Sequence, residues 1–228
     1  MPQLVSLHFE YCDLVATNNT YTKENYQEST FQIRELSLLW TDFSTEALQQ
    51  LLSHLPRLDC AVLGANHNRY QLANDASLQM LTTVCPGIRK LSISLQQVKE
   101  KSLCQAIRHY RSQLEHLSIR CQGNETLQAI SECTKQLKHL VLRCNNPTGS
   151  DSVIHVLQQC RSLIHFEMIS WPLHDMPRIV LDQLLVRDGH TMKLPHPSPP
   201  ALSFLENMKR TVALDKQDLQ KIRRLCFY

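Results

Sequence analysis

Residues 114–121 read LEHLSIRC, and 23 positions further on residues 137–144 read LKHLVLRC. Both stretches hold a histidine, an arginine and a cysteine at matching places, which poses a choice between duplicated chemistry and duplicated architecture. Strand geometry decides it. Successive side chains of a strand point to opposite faces, so residues an odd number apart cannot share one. His116 and Cys121 are five apart, as are His139 and Cys144, and in a regular strand neither pair can converge on one metal ion. Leu117, Ile119 and Cys121 are expected on a buried face, with His116, Ser118 and Arg120 on the exposed one. The same division sets Leu140, Leu142 and Cys144 against His139, Val141 and Arg143.

Working outward, the pattern L-x-x-L-x-L can be laid on Leu4-Leu7-Phe9, Ile33-Leu36-Leu38, Leu55-Leu58-Cys60, Ile88-Leu91-Ile93, Leu114-Leu117-Ile119, Leu137-Leu140-Leu142 and Leu163-Phe166-Met168, with steps of 29, 22, 33, 26, 23 and 26 residues. Between these segments, STEALQQLLSHL, SLQMLTTV, KSLCQAIRHY, ETLQAISEC and DSVIHVLQQC carry apolar residues at spacings of three and four, the mark of helices with one buried stripe. Ser44 before Glu46 and Ser150 before Asp151 read as N-caps. A strand and helix of this size cannot bury both their faces alone, so the units are expected to stack. The expectation is an α/β fold, a curved solenoid with parallel strands on its concave face and helices on its convex face.

The stretches CPGIRKLSI (85–93), CTKQLKHLVL (133–142) and CRSLIHFEM (160–168) each place a cysteine ahead of the leucine motif. In this the chain resembles the cysteine-containing leucine-rich-repeat proteins, over roughly residues 4–171, and the repeat region of F-box proteins in particular. The resemblance implies a ribonuclease-inhibitor-like solenoid and a substrate-receptor role in ubiquitin-ligase targeting. The first motif begins at Leu4, so an F-box either lies outside this chain or does not belong to it. Recruitment of a ligase adaptor is expected only in the first case.

Composition narrows the remaining classes. The 228 residues are 43% hydrophobic and only 6% aromatic, which points to an aliphatic core. Five glycines and no phosphate-loop motif argue against a nucleotide cradle. No apolar run reaches the roughly 18 residues of a membrane span, and the N-terminus lacks the features of a signal peptide. A cytoplasmic or nuclear protein without a membrane partner is the expectation. Nine cysteines with no C-x-x-C are read as reduced thiols, Cys85, Cys133 and Cys160 filling core positions. Residues 86–145 hold ten Lys and Arg against four Asp and Glu, a basic block in a chain of net charge +3.

Residues 16–30 and the stretch GANHNRYQLANDAS (64–77) are read as loops. The division expected is a solenoid over 1–176 with a degraded repeat and helical cap over 177–228. In the cap, MPRIVLDQLLVRDG, ALSFLENMKRTV and DKQDLQKIRRLCFY are read as helices and HTMKLPHPSPP as a connection.

The candidate binding surface is the exposed strand face: Lys90, His116, Arg120, His139, Arg143, His165 and Glu167, with Trp171 at one end and Ser6, His8, Glu10, Glu35 and Asp59 toward the other. His116, His139 and His165 should form a column on neighbouring strands. Three imidazoles in a line give poor tetrahedral geometry, so neither a metal nor another cofactor is assigned. No local catalytic signature accompanies the histidines and cysteines, and an enzyme is not expected. Another protein, through an acidic or phosphorylated segment, is the expected partner, because Arg makes forked hydrogen bonds to carboxylate and phosphate. The alternative is nucleic acid or a phosphate-rich ligand on the basic block. Against it stands the lack of stacking aromatics there apart from Tyr110.

Overall fold

Seven alternating segments become strands that pair in chain order, every one parallel to the last: β1 (Ser6–Glu10), β3 (Glu35–Leu39), β5 (Cys60–Gly64), β6 (Lys90–Ser94), β7 (His116–Cys121), β8 (His139–Cys144) and β9 (His165–Ser170). An eighth, β10 (Thr211–Leu214), runs antiparallel along β9 and makes the sheet mixed. β2 (Asp13–Leu14) and β4 (Asp42–Phe43) form a separate parallel pair. The computed structural model describes residues 4–14, 32–39, 41–64, 75–94, 98–121, 123–144, 150–170, 179–180 and 211–226.

Helices α1 (Thr45–Ser53), α2 (Asp75–Val84), α3 (Glu100–Tyr110), α4 (Asn124–Cys133) and α5 (Ser150–Gln159) lie between successive strands from β4 onward, and α6 (Lys216–Cys226) follows β10. The core lies between sheet and helices. Register lines up Leu36, Ala61, Leu91, Leu117, Leu140 and Phe166 in one row and Leu38, Leu63, Ile93, Ile119, Leu142 and Met168 in the next. None of these twelve is more than 4% exposed. Leu48, Leu52, Leu78, Leu81, Leu103, Ile107, Leu127, Ile130, Val153 and Val156 bring the helix stripes into the same core.

Polar side chains satisfy the helix ends across the layer. Ser44 Oγ accepts from Ala47 N at the start of α1 (3.1 Å). Asp75, in the first turn of α2, accepts from Lys99 N ahead of α3 (2.8 Å). Glu100, in the first turn of α3, accepts from Thr126 N (2.9 Å) and Thr126 Oγ1 (3.0 Å) in α4. Each carboxylate thus meets the positive end of the next helix. Gly123 is small for the same reason: a Cβ there would sit 2.7 Å from Glu100 Oε2. At the opposite ends, Cys85 Sγ donates to Leu55 O (3.6 Å), Tyr110 Oη to Cys85 O (3.2 Å) and Cys160 Sγ to Ile130 O (3.8 Å). Arg223 of α6 closes this series by donating to Leu157 O (2.9 Å), Cys160 O (2.8 Å) and Arg161 O (3.2 Å).

Several expectations are corrected. A uniform all-parallel leucine-rich-repeat solenoid with a helical cap is not what forms: the sheet is mixed, a second small sheet stands apart, and the paired strands begin at irregular intervals, at residues 6, 35, 60, 90, 116, 139 and 165. The resemblance to cysteine-containing repeats fails at one of its three cysteines. Cys85 and Cys160 stand three residues before Ile88 and Leu163, but the residue three before Leu137 is Thr134, and it is Thr134 that is fully buried while Cys133 is half-buried. The third motif was laid three residues early. Leu36 pairs with Ala61 and Leu38 with Leu63, so the copy is Leu58-Ala61-Leu63, in which the middle leucine is an alanine. In the tail, Thr211 and Val212 belong to a strand rather than to a helix over ALSFLENMKRTV, and Asp75 and Ala76, ahead of the SLQMLTTV stretch, belong to α2 rather than to a loop. Residues 16–30 and most of 177–210 lie outside the described residues.

Two predictions follow from the helix ends. Glu100→Ala should cost about 1 kcal/mol, and so should Gly123→Ala, because its methyl group displaces the same carboxylate. Urea unfolding of the double variant should then show little more loss than either single change; additive costs would mean the carboxylate is not the cap. Arg223→Ala should cost about 2 kcal/mol, since it strips a charged donor from three carbonyls at the end of α5. A loss within the about 0.5 kcal/mol of ordinary surface substitutions would show that α6 is not fixed there by Arg223.

Candidate functional site

The sheet face turned away from the helices carries three rows of side chains, set by the register. The first is Ser6, Glu35, Cys60, Lys90, His116, His139 and His165; the second is His8, Ser37, Val62, Ser92, Ser118, Val141 and Glu167; the third is Glu10, Leu39, Gly64, Ser94, Arg120 and Arg143. Seven of the eight proposed surface residues are therefore on one face, with Lys90 and the three histidines in one row and Arg120 and Arg143 paired in another. Trp171 lies outside the described residues. Asp59 stands one residue ahead of β5 and pairs with Arg34 (3.6 Å).

Parallel pairing at equal register brings the imidazoles into contact. The rings of His116 and His139 stack with centroids 4.2 Å apart and planes 7° from parallel, and His165 follows at 5.9 Å with a tilt of 36°. Burial, the neighbouring His139 and the lysines Lys90 and Lys138 lower the His116 pKa to about 4. Burial, His165 and Lys138 lower that of His139. The two stacked imidazoles are thus neutral at ordinary pH. His165 Nε2 lies 3.7 Å from Glu167 Oε2.

Beside the stack the face dips. A depression of about 210 Å³ is lined by Cys60, Val62, Lys90, Ser92, His116, Ser118, His139 and Val141. Its floor is low because Ser92 and Ser118 are short, and its flanks rise where Val62 and Val141 stand on either side of them. Burial and the nearby Glu35 push the Cys60 thiol up in pKa, so that it is a neutral wall and not a thiolate. Alternation along β7 and β8 already places Ser118 and Val141 on this face, whereas Val62 and Ser92 carry no charge that marks them in the sequence. With the third motif laid correctly, alternation alone would have put Cys60 and Val62 on this face.

The charges are arranged differently from the basic block expected. Arg89 and Lys138 both pair with Glu115, and Lys99 pairs with Asp75 (3.6 Å). Lys135 Nζ donates to Ser131 O (2.7 Å). Arg120 and Arg143 are adjacent in register, and among the described residues neither has a carboxylate partner. Among the described residues no three His, Cys, Asp or Glu side chains come together as a metal-ligand set, and no helix is long and apolar enough to cross a membrane.

The chain matches no family model and no curated protein. With the solenoid corrected as well, nothing connects this chain to F-box proteins, and the role of ubiquitin-ligase substrate receptor is withdrawn. The nucleic-acid and phosphate-rich alternative is withdrawn on the geometry. Four of its ten cations, Arg89, Lys99, Lys135 and Lys138, are paired or hydrogen-bonded within the fold, the stacked imidazoles are uncharged, and Tyr110, the one aromatic of the block, is 1% exposed with its hydroxyl spent on Cys85 O.

The stack makes stability depend on pH. An unfolded histidine titrates near 6.5, so between about 6.5 and 4 the unfolded chain binds more protons than the folded one, and stability falls with pH. The contribution is full above about 6.5 and disappears as pH falls through the folded values. Removing both imidazoles (His116→Asn with His139→Asn) should cancel that component: the stability difference, wild type minus variant, should shrink as pH is lowered from about 7 to about 4. Proton NMR titration should find His116 half-protonated near pH 4. A midpoint above about 6 would contradict the desolvated stack.

Proposed function

We propose that the open sheet face binds an extended, carboxylate-bearing segment of another protein, with Arg120 and Arg143 holding its acidic side chains. The observation that carries the reading is the arginine pair. Like charges directly opposite on neighbouring strands destabilise a sheet, and here two guanidinium groups stand in register with no described carboxylate to relieve them. An anionic ligand relieves the repulsion and suits the forked donor geometry of arginine. The neutral histidines and the depression supply the desolvated area that such a contact needs beside its charges. Glu167, next to His165, sets a limit on where acidic groups fit and orients the ligand charge toward the arginines.

Selection from a random displayed peptide library on the full chain tests the reading. Asp and Glu should be enriched in the recovered sequences, and representative peptides should bind about tenfold more weakly for each arginine replaced by alanine. Binding should also fall as salt is raised. Recovery without acidic enrichment, or equal affinity for the Arg120→Ala/Arg143→Ala variant, would overturn it.

A further inference from the structure

The depression beside the histidine stack has the size and walls of a subsite for a single ring. Its volume of about 210 Å³ is below the roughly 300–1,000 Å³ of sites that enclose a whole small ligand. Three features select what enters. The floor is made by Ser92 and Ser118, half-buried hydroxyls on adjacent strands. The walls are the methyl groups of Val62 and Val141 and the Cys60 thiol.

The third feature is the exposed end of the stack. His116 presents one ring face to His139 on β8, so its opposite face is turned toward β6, where Lys90 and Ser92 stand. The in-register neighbour of His116 on β6 is Lys90, with Ser92 one row further along, so a planar guest above Ser92 lies beside the stack and meets the edge of the His116 imidazole across adjacent strands about 4.8 Å apart. Aromatic rings favour such edge-to-face contacts. Lys90, exposed at the rim, adds a cation for the ring face or for an acidic neighbour.

The distance to the arginine pair then constrains sequence. Ser118 and Arg120 are two residues apart on β7, as are Val141 and Arg143 on β8, so the depression and the guanidinium groups are separated by about 6.6 Å along the strands. That is also the separation of same-side side chains at positions i and i+2 of an extended peptide running along them.

We propose that the depression lined by Val62, Ser92, His116, Ser118 and Val141 is an anchor subsite for one aromatic side chain, whose segment carries an Asp or Glu two positions away for Arg120 and Arg143. The proposal rests on the reading of the face as a site for an acidic segment, and supplies the recognition element that charge alone lacks.

The peptide selection is repeated with wild type and with Ser118→Leu and Ser92→Leu, each of which fills the depression from a different strand, after circular dichroism has confirmed a folded chain. Wild type should recover Phe, Tyr or Trp paired with Asp or Glu at a spacing of two. The filling variants should lose the aromatic preference and keep the acidic one, with about tenfold weaker binding of the wild-type peptides. Acidic sequences without the spaced aromatic, or unchanged aromatic preference in a folded filling variant, would overturn the anchor and leave the acidic site standing. Absence of acidic enrichment with wild type would overturn both.

Discussion

One backbone carbonyl ahead of each strand receives two consecutive N–H groups from the next unit, and the rest of the molecule depends on that shared acceptor. Val5 O takes Arg34 N and Glu35 N; Arg34 O takes Asp59 N and Cys60 N; Asp59 O takes Arg89 N and Lys90 N; Arg89 O takes Glu115 N and His116 N; Glu115 O takes Lys138 N and His139 N; Lys138 O takes Ile164 N and His165 N, all at 2.7–3.2 Å. The arrangement starts each strand at the same height as its neighbour. A slip of one residue would turn Leu117 and Ile119 outward and His116 inward, so the fixed start is what separates core from surface. It also explains how units of unequal length coexist. Extra residues are taken up after the strand, where no register has to be kept.

The residues that own these carbonyls form a row of their own, and after Val5 their charges alternate: Arg34, Asp59, Arg89, Glu115, Lys138. Arg34 pairs with Asp59, and Glu115 with both Arg89 and Lys138. Exposed pairs of this kind contribute little to stability singly. Their effect on the surface is larger, because they use up cations that the linear sequence displays as a basic block. Arg120 and Arg143 lie five residues beyond Glu115 and Lys138 along β7 and β8, in the third row of the face, where the neighbouring strands offer Ser94 and Gly64 instead of a carboxylate. Strand height, not sequence density, decides which cations remain available.

Much of this was legible one element at a time. LEHLSIRC and LKHLVLRC alternate strongly enough that the faces of β7 and β8 could be written down, including the juxtaposition of His116 with His139 and of Arg120 with Arg143. The stripes of α1 to α5 were equally plain, and Ser44 is the N-cap its position suggested. What misled was small residues in large-residue places. Ala61 stands where a leucine was sought, which shifted the third motif onto Leu55 and Leu58, and Cys133 stands one place from the position that Thr134 fills. Periodicity is also blind to partners distant in sequence. Thr211–Leu214 is short, and only its pairing with β9 makes it a strand. No local signal could announce that, and it is the strand that changes the sheet from parallel to mixed. The depression was missed for a related reason: serine is silent in a search for chemistry, yet on a face of histidines and valines a short side chain is what makes a hollow.

The distribution of charge across the face has an energetic logic. A ligand that covers a surface removes its water, and an unpaired ion beneath that ligand costs far more than a neutral polar group. His116 and His139 lie at the centre of the face and, with pKa lowered by burial and by a neighbouring histidine each, His139 for the first and His165 for the second, are uncharged at neutral pH. They can be covered with little penalty. Arg120 and Arg143 lie in the third row, the first half-buried and the second exposed, and keep their hydration until an anion replaces it. The same proximity that keeps His116 and His139 neutral, with Lys90 in register on one side and Lys138 one residue ahead of His139, would bring repulsion into the centre of the face once they protonate. A surface assembled in this way is suited to contact at neutral pH, with apolar burial at its centre and charge recognition along one margin.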